Sequence, residues 1–104
     1  MYYRLYTGKD NKTHMEEFNP PNNMPATSVV FRNQPLGTFI DWHTDPRKQF
    51  LVTLEGEVEI GTGDGILHIL GPGDMMLAED ITGQGHTTRV IGNKDRISIA
   101  IPVE

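Results

Sequence analysis

Between residues 27 and 102 the chain is cut into eight short apolar or β-branched runs, and nothing between them carries the period of an amphipathic helix. The runs span 27–33 (TSVVFRN), 37–43 (GTFIDWH), 49–56 (QFLVTLEG) and 57–63 (EVEIGTG) in the first half. In the second half they span 65–71 (GILHILG), 74–79 (DMMLAE), 86–92 (HTTRVIG) and 96–102 (RISIAIP). Eleven glycines and seven prolines punctuate the chain at the rhythm of a sandwich or barrel. In LEGE (54–57) and GTGDG (61–65) glycine supplies the positive φ of a tight hairpin turn. Upstream, NPPNNMP (19–25) reads as a loop, and HMEEF (14–18) reads either as a short strand or as one turn of helix.

Alternation within the runs predicts two covered faces. In QFLVTL, Phe50, Val52 and Leu54 point one way, while Gln49, Leu51 and Thr53 point the other. In RISIAI, Ile97, Ile99 and Ile101 oppose the small Ser98 and Ala100. Strands apolar on both faces are covered on both, whereas Glu57 and Glu59 mark EVEI as half exposed. The interior is therefore expected between two sheets, with one outer face left for a partner chain.

Size and charge narrow the function. A chain of 104 residues is one domain. A formal net charge of −5 argues against tracking a nucleic-acid backbone. No apolar run reaches the roughly 18–20 residues of a membrane span, and MYYRLYTGKD lacks the apolar core of a secretory signal. Zero cysteines exclude disulfides and thiolate chemistry and suit a reducing compartment, so the cytoplasm is the expected location.

The segment FIDWHTDPRKQF (39–50) carries the strongest chemical signal. On an extended strand Asp41, His43 and Asp45 share one face, and Gln49 restarts the next strand facing back toward His43. Imidazole nitrogen beside carboxylate or amide oxygen is a donor set for a divalent metal. GQGHTTR (83–89) adds His86 just after a glycine-rich turn. The bland alternative is a pair of hydrogen-bonded histidines lining a metal-free pocket.

These residues resemble the cupin family. Gly37, five residues, His43, then Asp45, Gln49 and Gly56 follow the spacing of its first motif, with Asp45 at the second histidine position and Gln49 at the glutamate position. GPGD (71–74) and Gly85-His86 are similar to its second motif, although Glu79 stands where proline is usual and EDITGQGH is about two residues longer. The segments His…Pro-Arg-x-Gln and AED-x-TG-x-GH resemble a bacterial-type subgroup without a settled activity. The resemblance covers roughly residues 28–102. It implies an all-β fold, a double-stranded β-helix in a single domain over 1–104, with an N-terminal arm at 1–26. It also implies a divalent metal (Fe, Mn, Ni or Zn), and no other cofactor, at His43, Asp45, Gln49 and His86. The neutral Gln49 in place of glutamate lowers the ligand charge and weakens the hold on a cation.

Other residues are weighed beside that set. Arg47 and Arg89 are candidate clamps for a carboxylate or phosphate, with Glu79 beside them as a third substrate-binding candidate. Surface charge or an internal ion pair with Asp45 or Glu79 explains them as readily. Asp80 is a candidate acid or base near His86, with capping of its own turn the favoured alternative. His14 and His68 read as ordinary polar residues. Met75, Met76 and Trp42 read as core or pocket wall. The resulting expectation is a metal-assisted isomerase, lyase or dioxygenase acting on a small anionic metabolite. The alternative is a metal-free small-ligand binder, a sensor or carrier. A homodimer is expected through the Phe50, Val52 and Leu54 face, unless residues 1–18 fold back over it.

Overall fold

The computed structural model describes residues 1–103, which form ten strands and, among those residues, no helix. The strands are β1 (Tyr2–Thr7), β2 (Thr13–Glu17), β3 (Val30–Gln34), β4 (Phe39–His43), β5 (Gln49–Glu55), β6 (Glu57–Gly61), β7 (Leu67–Leu70), β8 (Met75–Ala78), β9 (His86–Ile91) and β10 (Arg96–Pro102). All eight expected runs are present, as β3 to β10. They lie in a six-stranded sheet, ordered β2-β1-β8-β5-β10-β3, and a four-stranded sheet, ordered β4-β9-β6-β7. Two facing sheets of largely antiparallel strands give the double-stranded β-helix. Residue 104 of the expected domain lies outside the described residues. No described helix is long and apolar enough to cross a membrane.

The core sits where alternation placed it. Leu51 of β5, Met76 and Ala78 of β8 and Ala100 of β10 face Val58 and Ile60 of β6 and Leu70 of β7. Each large side chain withdrawn from water here contributes roughly 1.5–3 kcal/mol. The small Ser98 and Ala100 let β10 run between β5 and β3 without overfilling the interior. Gly56, at φ +77°, turns β5 into β6 where a Cβ would strike the Asp95 carbonyl. The reversal therefore needs glycine.

The expected arm is more ordered than its composition indicates. The ambiguous segment at 14–18 is strand, and β1 and β2 form a hairpin that extends the large sheet. β1 runs parallel to β8, with Tyr2 opposite Met75 and Leu5 opposite Ala78. Leu5 thereby joins the core. Residues 20–26 then cross the outer face of the same sheet, where Pro20, Pro21 and Met24 border a groove of about 400 Å³ against Phe50, Met75 and Ile101. They cover one end of the apolar face and leave Phe31, 75% exposed, and Leu54, 44% exposed, at the other.

Candidate functional site

The site is assembled by β4, β5 and β9 and by the turns that join them. Ile40 of β4 lies opposite Thr88, and His43 lies opposite His86. Three steps along β4 match two along β9, so β4 carries one extra residue, a β-bulge. The bulge reverses the expected parity: Ile40 and His43 both face inward, whereas Asp41 stays exposed. The sequence expectation that Asp41, His43 and Asp45 share a face fails for Asp41 for this reason. Gly85, at φ +78°, passes so close under the His43 carbonyl that a Cβ there would overlap it. That contact brings the His43 and His86 rings to 4.3 Å between centroids.

The hydrogen bonds settle which ring nitrogens remain available. His43 Nδ1 donates to the Asp41 carbonyl at 2.8 Å, and a carbonyl can only accept. His86 Nδ1 lies in a short bond to Asp80 Oδ2 at 2.5 Å. Each Nε2 is therefore left with its lone pair. Gln49 Nε2 donates to Asp45 Oδ1 at 3.1 Å, and the Asp45 N–H donates to the Asp80 carbonyl at 3.1 Å. Asp80 is 0% exposed, Gln49 1% and His86 2%. In this dry setting Asp45 Oδ2, Gln49 Oε1 and Asp80 Oδ1 have no hydrogen-bond partner. Buried polar atoms in folded proteins are normally satisfied, so these three oxygens beside two histidines mark where a proton shared between Asp45 and Asp80, a water or an ion would be bound.

Burial dominates the electrostatics. It pushes the Asp45 carboxyl up to about 7, helped by Asp80 beside it, and the Asp80 carboxyl up to about 6. His86 is pushed down by burial against the pull of Asp45. One ligand atom from each of Asp45, Asp80 and His86 falls within 4.8 Å of the others. Two desolvated carboxylates at that separation repel one another, and a divalent cation relieves both the repulsion and the desolvation. The residues present fit such an ion.

The structure brings four expected site residues together (His43, Asp45, Gln49 and His86) and joins Asp80 to them. The Asp80 carboxyl is turned to His86, its Oδ2 bonding Nδ1, and it also meets Asp45 and its own backbone N–H. The three expected substrate-binding residues lie outside the cavity between the sheets. Arg47 is exposed in the turn before β5. Arg89 alternates with the inward Thr88, and its guanidinium lies 4.3 Å over the Phe39 ring, with Glu59 at 4.0 Å. Glu79 is held by Arg4 at 2.7 Å and Lys48 at 3.3 Å. The arginines that do line the cavity, Arg32 and Arg96, were not singled out. A signal was present for Arg96, which shares the parity of Ser98 and Ala100.

Comparison with known proteins supports the fold reading. Among solved structures the chain resembles an uncharacterised protein with a double-stranded β-helix domain from Klebsiella pneumoniae, at 26% identity. That likeness covers 82% of this chain and 81% of the other, with a TM-score of 0.58. It also resembles a cupin domain from Bordetella pertussis (15% identity, 82% and 99% of the two chains, TM-score 0.56). A third likeness is to HppE, solved with Fe(II) and substrate (18% identity, 81% and 55%, TM-score 0.53). No family model and no curated protein matches the sequence. These likenesses give the chain the double-stranded β-helix fold, which the cupin domain from Bordetella pertussis also resembles.

Proposed function

We propose that this protein is a metal-assisted enzyme, an isomerase, lyase or dioxygenase, acting on a small anionic metabolite. The single observation that carries the reading is the pair of partnerless buried oxygens, Asp45 Oδ2 and Gln49 Oε1, beside two imidazoles whose Nδ1 atoms are both engaged. Nε2 of His86 and Oδ2 of Asp45 would hold the ion, and His43 Nε2 and Gln49 Oε1 would move in to join them, since among the described carboxylates and histidines only Asp45, Asp80 and His86 bring ligand atoms within 4.8 Å of one another. Nitrogen and oxygen donors of this kind suit Fe(II), Mn, Ni or Zn. A bound divalent ion would supply Lewis-acid polarisation of a substrate oxygen.

The chain's own residues do the rest. Asp80 fixes the His86 tautomer and ring plane, the role of a carboxylate behind a metal-binding histidine. Gln49 holds Asp45 in place through Oδ1 and leaves Oδ2 directed elsewhere. Ile40, Leu51, Ile60 and Met76 wall the cavity and exclude water, which strengthens every charge interaction inside it.

Metal analysis of protein purified without chelator tests the reading, followed by Mn(II) titration of the parent and of His86→Ala. Stoichiometric metal, lost in the variant, is expected. Metal-free protein that binds no added Mn(II) would overturn the reading in favour of the sensor or carrier.

A two-fold dimer through the outer face of the six-stranded sheet belongs to the same proposal. Phe31 and Ile99 are cross-strand neighbours there, and residues 20–26 shield only the far end of that face. Apolar residues left together in water favour a self-complementary contact. Sedimentation equilibrium should give about twice 11.7 kDa; a monomer mass rejects the dimer.

A further inference from the structure

We infer that Arg96 and Arg32 form an anion subsite that takes the carboxylate of a short-chain organic acid entering between β3 and β4. The inference rests on the anionic-substrate reading above, but it concerns the wall of the cavity that no metal would touch.

Arg96 is the first residue of β10 and only 4% exposed. Its Nε and Nη2 donate to the Thr53 hydroxyl oxygen at 3.3 and 3.1 Å, and its Nη1 donates to Gln34 Oε1 at 2.9 Å. Every one of these acceptors is neutral. Among the described residues, no carboxylate lies within 4.0 Å of Arg96 or of Arg32, whereas Arg4, Lys48 and Arg89 each have a glutamate partner. A buried guanidinium without a counter-charge is costly and is normally paired. Here a second arginine faces the same cavity, and the one carboxylate that lines it, Asp45, lies beyond 4.0 Å from both and is held by Gln49. Burial, together with that neighbour, brings the Arg96 guanidinium down to about 10. In a chain of net charge −5, two unpaired cations converging on one cavity are a local exception.

A guanidinium has five N–H donors. Three of the Arg96 donors are used, and one on each terminal nitrogen has no protein acceptor among the described residues. A carboxylate accepts from both in the bidentate manner that distinguishes arginine from lysine. The register brings the second arginine alongside, since Gln34 pairs with Arg96 and Arg32 pairs with Ser98 on the same inner face. Thr53 and Gln34 act as positioning residues that hold the Arg96 plane.

Access and size define the ligand. The cavity residues that keep partial exposure are Arg32 and Gln34 on β3 and Ile40 and His43 on β4. These are the edge strands of the two sheets, so the entrance lies between them. The cavity is small, about 50 Å³. A planar three-atom carboxylate suits that space better than a tetrahedral phosphate, and the rest of the acid would extend toward the entrance.

The test uses the full chain freed of metal with chelator, at constant ionic strength. Acetate, propionate and inorganic phosphate are the probes. The readouts are the Arg96 Nε–H resonance and the thermal midpoint, in the parent, Arg96→Lys and Arg32→Gln. Saturable carboxylate binding with a Kd of about 1–10 mM is expected, weakened about tenfold in each variant. Arg32 is half exposed, so Arg32→Gln keeps the test decisive if Arg96→Lys fails to fold. An Arg96 resonance that no probe moves, or carboxylate affinity unchanged in Arg32→Gln, overturns the subsite; a preference for phosphate overturns the carboxylate. Because no metal is present, failure here leaves the Mn(II) titration to judge the histidine site by itself.

Discussion

Two clusters in this molecule are built from the same four side chains, two aspartates and two histidines, and they behave in opposite ways. The inner one is His43, Asp45, Asp80 and His86. The outer one, where the turn after β1 meets the turn after β6, is Asp10, His14, Asp64 and His68. Outside, every bond has a local donor. Asp10 accepts from the Lys12 N–H at 3.0 Å and pairs with His14 at 2.9 Å. Asp64 accepts from the Thr62 hydroxyl at 2.5 Å and the Ile66 N–H at 3.1 Å. Those donors hold both carboxyls below their ordinary value. Inside, burial removes water faster than the protein supplies donors, and both carboxyls are pushed up. Residue type alone does not make a site; unmet bonding capacity in a dry place does.

The sharpest way to break this contrast is to delete one histidine from each cluster. His86→Ala should reduce Mn(II) affinity by more than about 100-fold, beyond what loss of a supporting group costs, while His14→Ala leaves it unchanged in calorimetric titration. Equal losses would mean that the outer cluster is the metal site. A smaller effect separates the supporting aspartates. Asp80→Asn should weaken Mn(II) binding by about 10–100-fold through the loosened His86 ring, and Asp64→Asn should do nothing measurable.

Stability should then move against affinity. Asp45→Asn removes a buried charge yet keeps an oxygen for the Gln49 amide, so the metal-free protein should gain about 1 kcal/mol in urea unfolding. The same variant should bind Mn(II) poorly; a loss of stability would show that Asp45 is paired rather than orphaned. Least of all, Asp10→Asn should change stability by no more than about 0.5 kcal/mol, the scale of an exposed pair. A larger cost in the same unfolding experiment would mean that the outer cluster clasps its two turns together.

The strands were legible because their turns carry glycine, proline and asparagine at fixed offsets, which is local information. β1 was not, because its strand character depends on β8, about seventy positions away in the chain. The histidine pair was legible through spacing, but the face of Asp41 was not, since a bulge leaves no mark in the alternation it interrupts. The arginines show the same limit. Arg47 and Arg89 drew notice by lying near the histidines in sequence, whereas Arg32 and Arg96 lie near them in space through the register of β3 on β10.

Gly85 has a diagnostic use beyond this molecule. Its α-carbon lies against the His43 carbonyl, so any side chain there must displace the strand that carries the histidine. Tolerance at position 85 therefore measures whether the two imidazoles are still held side by side, tilted 55° to one another. A related sequence with glycine there can keep the paired geometry. One with any other residue has moved β4 and shares the barrel alone, whatever histidines it retains.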